Sequence, residues 1–168
     1  MNRYQLAKLV QWAETLHTRK RLQKVVFMLK AAGCPLEAEF TLHHYGPYSQ
    51  EVARLSDEMV RSGLLDEITG HNVMGLEYSY RLPATTEQQV AELESIPQGK
   101  AWAGEIRCFE KLAKELVTTD LKQLEYASTI VFFRQRGLDW PTAVEKACDF
   151  KRTKAVKDAE PLAHKVIA

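Results

Sequence analysis

The sequence predicts an α+β fold that is mostly helical, with a mixed first half and an all-helical second half packed on it. Three observations predict this class. Apolar residues recur at helical spacing through most of the chain, the spacing becomes extended near residues 39–45 and 64–82, and glycine and proline separate the segments. The break at Pro97-Gln98-Gly99 marks the expected boundary between a first domain, residues 1–96, and a helical C-terminal subdomain, residues 97–168.

The first two helices are predicted from apolar stripes. The first stripe consists of Leu6, Leu9, Val10 and Ala13. The second helix begins at Thr18, and its stripe consists of Leu22, Val25, Val26 and Leu29. Gly33 follows at the position of a left-handed C-terminal cap, and Pro35 prevents the helix from continuing.

A strand, a third helix and a hairpin complete the first half. Residues 39–45 alternate polar and apolar side chains and stop at Gly46, which predicts one strand. A helix is predicted from Pro47, with an apolar stripe of Tyr48, Val52, Leu55 and Met59. Residues 64–69 and 76–82 are the arms of a β-hairpin, with turn residues at 70–72 and 75. This order is nearly that of a winged helix, in which the hairpin pairs with the first strand.

Every segment after residue 85 is predicted to be helical. Helices are expected over residues 86–94, through Ile106 and Leu116, from the cap residue Asp120 to Gly137, and from Pro141 into a basic amphipathic tail. The helix around residue 130 is the most apolar of the chain and needs to be covered. We therefore expect the second half to pack on the first.

Composition limits the classes of function. A net charge of +1 over 168 residues provides no overall electrostatic attraction for nucleic acid or a membrane surface. Three widely spaced cysteines, Cys34, Cys108 and Cys148, are typical of thiols in a reducing compartment. No apolar run approaches the ~20 residues of a membrane span, and the N-terminus lacks the apolar core of a signal peptide. We expect a cytoplasmic protein without membrane contact.

Few residues indicate catalysis or metal binding. His43 and His44 are adjacent on a predicted strand, so their side chains point to opposite faces and cannot ligate one metal without distortion. No cysteine pair has the spacing of zinc ligands. Ser49 lacks the G-x-S-x-G pattern of a nucleophile elbow, and a serine at a helix start is typically a cap. We expect no metal, no cofactor and no enzymatic activity.

Two motifs resemble known families. They are RLQKVVF, residues 21–27, and HYGPYSQEV, residues 44–52. Together they resemble the uncharacterised YwgA-like bacterial family, and LEYASTI, residues 124–130, is similar to its C-terminal half. More distantly, the pairing of an LQK helix with a YGP turn is similar to the Panacea domain, which is found as an antitoxin in many toxin–antitoxin pairs. The second resemblance implies an antitoxin or adaptor that binds another protein, whereas the first implies no particular activity.

The most unusual local feature is the turn Tyr45-Gly46-Pro47-Tyr48. One interpretation is a rigid turn whose tyrosines anchor a protein partner, because tyrosine is enriched at interfaces. Glu51 and Glu58 on the next helix would then extend this surface towards a basic partner. The other interpretation, which we favour for the two rings, is that both pack into the core and fix the entry of the helix.

The charge distribution separates protein partners from DNA. Residues 47–80, which contact DNA in an ordinary winged-helix complex, contain two basic and six acidic residues, a balance of −4. This balance opposes phosphate contacts. A DNA-binding surface would instead use the basic residues Arg19, Lys20, Arg21, Lys24, Lys151 and Arg152. The sequence therefore favours a non-enzymatic regulatory or protein-interaction module, antitoxin-like, with a DNA-binding winged-helix transcriptional regulator as the alternative.

Overall fold

The computed structural model describes residues 1–72 and 75–167 and has an α+β fold in which helices predominate, as the sequence predicts. The first half contains, in chain order, α1 (Arg3–Ala13), β1 (Leu16–His17), α2 (Arg19–Ala31), β2 (Thr41–His43), β3 (Gly46–Tyr48), α3 (Gln50–Arg61), β4 (Asp66–Asn72) and β5 (Gly75–Arg81). The second half contains α4 (Ala84–Ser95), α5 (Pro97–Arg107), α6 (Glu110–Thr118), α7 (Leu121–Arg134), α8 (Trp140–Lys151), a 3₁₀ helix (Lys154–Ala159) and α9 (Glu160–Val166).

The larger sheet has the strand order β1-β5-β4, and all its pairs are antiparallel. Leu16 of β1 lies opposite Tyr80 of β5, and both side chains are buried. Apart from β2 and β3, the first half has the order α1-β1-α2-α3-β4-β5, and the β4–β5 hairpin pairs with the first strand, β1. The sequence predicts this strand at residues 39–45. A strand does form there, β2, but it pairs with β3, and the strand that pairs with the hairpin is β1, which is too short to show a periodic pattern.

Residues 39–45 instead lead into a small hairpin inserted between α2 and α3. Strands β2 and β3 pair antiparallel around His44 and Tyr45, with His43 opposite Gly46. Gly46 has a φ of +93°, which glycine adopts without the steric strain of a side chain. Pro47 therefore lies in β3 and not at a helix start, and α3 begins at Gln50.

The β4–β5 hairpin is longer than the sequence predicts. Gly70, His71 and Asn72, interpreted as turn residues, belong to β4 and lie opposite residues of β5. Residues 73 and 74 between the two strands lie outside the described residues. These turn-forming residue types are in strands here because β4 and β5 pair from Asp66 to Asn72, and this pairing satisfies the hydrogen-bond donors and acceptors of the backbone.

Helix α2 is the centre of the core. All eight residues from Leu22 to Leu29 are buried, including Gln23 and Lys24. Helix α7 packs on α2 and buries Ala127 and Ile130, while α8 and the 3₁₀ helix cover its other side. The expected packing of the second half on the first is therefore confirmed.

Two helix predictions need correction. The helix expected through Ile106 and Leu116 is divided into α5 and α6 around Cys108, where neither glycine nor proline marks the break in the sequence. On α3, the buried residues are Val52, Ser56 and Met59, whereas Leu55 is half-buried, so the buried face is rotated from the predicted stripe.

Among the described residues, no helix combines the length and the apolar composition that crossing a bilayer requires. Pro97 forms the corner between α4 and α5, and Gly99 is buried there. A Cβ on Gly99 would lie 1.9 Å from the carbonyl oxygen of Leu93, so this corner requires glycine.

Candidate functional site

The LQK and YGP motifs meet in the structure. The side-chain amide of Gln23 on α2 brackets the backbone of Ser49: its Oε1 accepts a hydrogen bond from the Ser49 amide at 2.8 Å, and its Nε2 donates to the Ser49 carbonyl at 3.0 Å. The Ser49 hydroxyl accepts a hydrogen bond from the amide of Val52, which confirms the predicted helix cap. Gln23 thus joins α2 to the segment that starts α3.

Lys24 passes beneath the β2–β3 turn. Its side chain is only 2% exposed, and its ammonium donates a hydrogen bond of 2.6 Å to the Pro47 carbonyl. Burial lowers the pKa of Lys24 to about 7, the nearby carboxylate of Glu125 partly opposes that shift, and Lys151 and Lys20 add to it. Burying the amine of Lys24 against the turn therefore lowers the free energy of unfolding.

Glu125 on α7 lies at the centre of what we call the three-lysine cluster, formed by Lys20, Lys24 and Lys151. The Lys20 ammonium is 3.3 Å from Oε2 of Glu125, and Lys151 forms an ion pair with Oε1. Lys151 also donates to the His44 carbonyl at 3.0 Å. Burial lowers the pKa of Lys151, although its hydrogen bond to Glu125 opposes this.

Each of the three lysines also contacts the β2–β3 turn. Lys24 binds the Pro47 carbonyl, Lys151 binds the His44 carbonyl, and the ammonium of Lys20 lies 3.8 Å from the ring centroid of Tyr45. These contacts come from α2 and α8, on either side of the turn. The cluster therefore holds the turn in one conformation.

Gly46 fits the turn closely against α7. A Cβ at this position would lie 2.9 Å from Oγ1 of Thr129 and 3.5 Å from Cε of Lys24. The hydroxyl of Thr129 is itself fixed by a hydrogen bond of 2.8 Å to the Glu125 carbonyl. Both the positive φ and the close approach thus require glycine here.

The tyrosines of the turn differ in exposure. Tyr45 is 55% exposed, and the imidazole of His44 packs edge-on against its ring at 4.9 Å. Tyr48 is half-buried and stacks on His43 with ring centroids 4.7 Å apart. The favoured expectation that both rings pack into the core was wrong for Tyr45, because the turn reverses at His44-Tyr45 and leaves this ring at the surface, beside the ammonium of Lys20.

Two concavities flank the turn. The first, the α2–turn cavity, has a volume of about 360 Å³ and is lined by, among others, Arg19, Lys20, Lys24, Tyr45, Tyr48 and Asp57. The second, the α7–turn groove, has a volume of about 640 Å³, and its lining includes His44, Tyr45, Lys122, Glu125, Phe150 and Arg152. Tyr45 lines both and forms the ridge between them.

The acidic residues proposed for partner binding, Glu51 and Glu58, are on α3 and already have partners within this chain. The carboxylate of Glu51 accepts a hydrogen bond of 2.9 Å from the Glu39 amide, and Glu58 forms an ion pair with Arg3. Both line an open groove of about 760 Å³, and Glu51 also lines a smaller concavity of about 480 Å³ together with Tyr48. Asp57, which sequence reasoning did not single out, is the acidic residue beside Tyr48 in the α2–turn cavity.

The predicted basic residues are brought together only in part. Lys20, Lys24 and Lys151 converge on Glu125. Arg19 forms a two-pronged pair with Glu67 at 2.9–3.2 Å, and Arg21 donates to the Thr119 carbonyl. Arg152 is exposed and lines the α7–turn groove.

In residues 1–72 and 75–167, no three or more histidine, cysteine, aspartate or glutamate side chains lie together so that they could hold a metal ion. The rings of His43 and His44 contact Tyr48 and Tyr45, respectively. Cys34 is a buried free thiol, Cys108 is exposed and Cys148 is half-buried.

Comparison with known proteins gives one informative match. No protein-family model matches the chain. It is 30% identical over 105 residues to the uncharacterised protein YwgA of Bacillus subtilis (strain 168), a match that covers 61% of this chain and 63% of YwgA. The chain thus spans a little under two thirds of the length of this relative. The similarity agrees with the resemblance to YwgA-like proteins inferred from the two motifs.

Proposed function

We propose that this chain is a non-enzymatic regulatory module that works by binding another protein, and that Tyr45 on the β2–β3 turn is its main anchor. The observation that carries the proposal is that Tyr45 is 55% exposed although its turn is held by several contacts. An aromatic side chain on a fixed backbone loses little conformational entropy when a partner covers it. Tyrosine is also among the residues that most often dominate binding energy.

The surroundings of Tyr45 favour an interface over a single exposed side chain. Tyr48 is half-buried beside it, and Phe150, 38% exposed, lies across the α7–turn groove. Concavities on both sides of the turn offer space for partner side chains. A central aromatic anchor flanked by pockets and polar groups is the usual anatomy of a binding site for protein.

The proposal keeps two of the four partner-binding residues expected from the sequence. Tyr45 and Tyr48 remain, whereas the carboxylates of Glu51 and Glu58 already bind other groups of this chain. The distant resemblance to the Panacea domain supports an antitoxin-like or adaptor role. A non-enzymatic role is supported by Ser49, whose buried hydroxyl oxygen serves the cap of α3.

The structure gives less support to the alternative, a DNA-binding regulator. Phosphate contacts require basic side chains that can turn outward. Arg19 and Arg21 instead donate to Glu67 and Thr119 of this chain. A phosphate would need to displace these internal acceptors.

The experiment that tests the proposal is affinity capture from the native host with the wild-type chain and with Tyr45→Ala. Loss of a central anchor of about 2 kcal/mol would lower retention of the bound protein about 30-fold. Leu76→Ala is the matched control, because Leu76 is 51% exposed on β5, away from the turn. Capture that is equal for wild type and Tyr45→Ala would overturn the proposal, and retention of duplex DNA by all three purified proteins would favour the alternative.

A further inference from the structure

We infer that the α2–turn cavity receives a carboxylate side chain of the protein partner, so that the partner presents an acidic segment to this face. The inference rests on the proposed function and names the chemistry of the partner at the same site. It reverses the charge expected from the sequence, where Glu51 and Glu58 indicated a basic partner. The charges, the hydrogen bonds and the shape of the cavity each support it.

The first support is a local excess of positive charge. Within the described residues, the three-lysine cluster places three amino groups around the single carboxylate of Glu125. Arg19, which also lines the cavity, is neutralised by Glu67. The acidic residue in the cavity lining is Asp57, which is exposed on α3. Counted against the carboxylates of Glu125 and Asp57, the three lysines leave an excess of one positive charge when Lys24 is protonated, which one carboxylate of the partner would balance.

The second support is the incomplete hydrogen bonding of Lys24. An ammonium has three donors, and among the described residues the hydrogen bond to Pro47 is the one that Lys24 makes. A buried amine with spare donors is destabilising unless a further acceptor is provided. Lys24 lines the α2–turn cavity, so a carboxylate oxygen that entered it would supply that acceptor. Because the pKa of Lys24 is about 7, the bound anion would also favour its protonated form.

The third support is the shape and lining of the cavity. Its volume of about 360 Å³ is at the small end of the range for ligand pockets, roughly 300–1,000 Å³, and suits individual side chains better than a whole helix. Tyr45 and Tyr48 provide walls for the methylene groups of an aspartate or glutamate, and the lysines lie beside them. Across the ridge, Lys122 and Arg152 in the α7–turn groove can meet further acidic residues of the same segment.

The test uses acetyl-tetraglutamate amide as the probe and acetyl-tetraglutamine amide as the uncharged control. Titration into the ¹⁵N-labelled chain of 168 residues should shift the amide resonances of Lys20, Tyr45 and Gly46 with the glutamate peptide and leave them unchanged with the glutamine peptide. Lys20→Gln should weaken the interaction about threefold or more. Lys111→Gln, which removes an exposed lysine on α6, should not change it.

Failure of this inference can be separated from failure of the proposed function. Equal shifts with both peptides, shifts elsewhere on the surface, or no effect of Lys20→Gln would overturn the acidic partner. If Tyr45→Ala lowers capture from the host while Lys20→Gln and Lys111→Gln both leave it unchanged, the turn is an interface and the carboxylate inference is wrong. If neither Tyr45→Ala nor Lys20→Gln lowers capture, the proposed function itself fails.

Discussion

The buried amine of Lys24 makes the stability of the fold depend on pH in a defined direction. Burial lowers the pKa of Lys24 from 10.5 to about 7, and its side chain is 2% exposed. Between these two values the unfolded chain binds a proton that the native chain has released. The free energy of unfolding therefore rises with pH across this window, by at most about 1.4 kcal/mol per pH unit for one proton. Below pH 7 the native state carries the full penalty of the buried charge.

Lys24→Met isolates this effect because methionine has a similar length and does not titrate. Urea unfolding followed by circular dichroism at pH 6, 7, 8 and 9 should give a steeper rise for the wild type. The difference between the two proteins should change by about 2.3 kcal/mol between pH 7 and pH 9, because at pH 7 the native lysine is already half deprotonated. The absolute stability of the variant is a poorer readout, because Lys24→Met also removes the donor to the Pro47 carbonyl.

Other groups titrate in this range but are shared by both proteins. Burial lowers the pKa of the Met1 amine, so this group also makes the free energy of unfolding rise with pH. Burial raises the pKa of Cys34 to about 12, so this thiol makes the free energy of unfolding fall with pH above pH 9. Both contributions cancel in the difference between wild type and Lys24→Met. Parallel pH profiles for the two proteins would refute the assignment of a lowered pKa to Lys24.

Two further predictions concern packing, and both are measured by denaturant unfolding. Gly46→Ala should lower the free energy of unfolding by about 2–4 kcal/mol, because Gly46 has a positive φ and a Cβ there would contact Thr129. Gly33 has a similar φ but open space around it, so Gly33→Ala should lower the free energy of unfolding by only about 1–2 kcal/mol, the cost of the backbone conformation. Equal losses for the two variants would argue against the close fit of Gly46 on α7. Met59→Ala should lower the free energy of unfolding by about 2–5 kcal/mol and Leu55→Ala by about 1 kcal/mol, because Met59 is buried and Leu55 is half-buried. A larger loss for Leu55→Ala than for Met59→Ala would mean that Leu55 belongs to the buried face of α3, as the sequence predicts.

The elements that the sequence predicts well are those whose signal is local and long. Helices α2 and α7 have apolar faces of several turns and are ended or capped by glycine or aspartate, so their positions follow from periodicity. Strand β1 has two residues, too few for a period to be read. Its pairing depends on a contact between distant segments, Leu16 with Tyr80, which local patterns do not contain. The alternation over residues 39–45 does predict a strand where β2 lies, but it does not show that β2 pairs with β3.

The site was predictable in its parts but not in its assembly. The motif around Gln23 and Lys24 and the motif around Gly46 stand out as sequence patterns, yet their direct contact depends on the fold. Glu125 follows the turn by about eighty residues, on a helix whose pattern reports only its apolar face. The charge count along the sequence places Lys20 and Lys24 among the residues available to bind phosphate. A count does not show that both lie near the carboxylate of Glu125.

The arrangement around Lys24 is better explained by positioning of the turn than by stability. Replacing a buried charged group with an apolar side chain of similar volume is often neutral or stabilising, so a buried lysine is weak evidence for a stability role. Lys24, Lys20 and Lys151 nevertheless all contact the turn, and the turn directs Tyr45 into solvent, where an aromatic ring gains nothing from core packing. A fold selected only for stability would bury that ring and omit the lysine. The buried Lys24 and the exposed Tyr45 both lower stability, which agrees with a turn that is fixed in position to bind a partner.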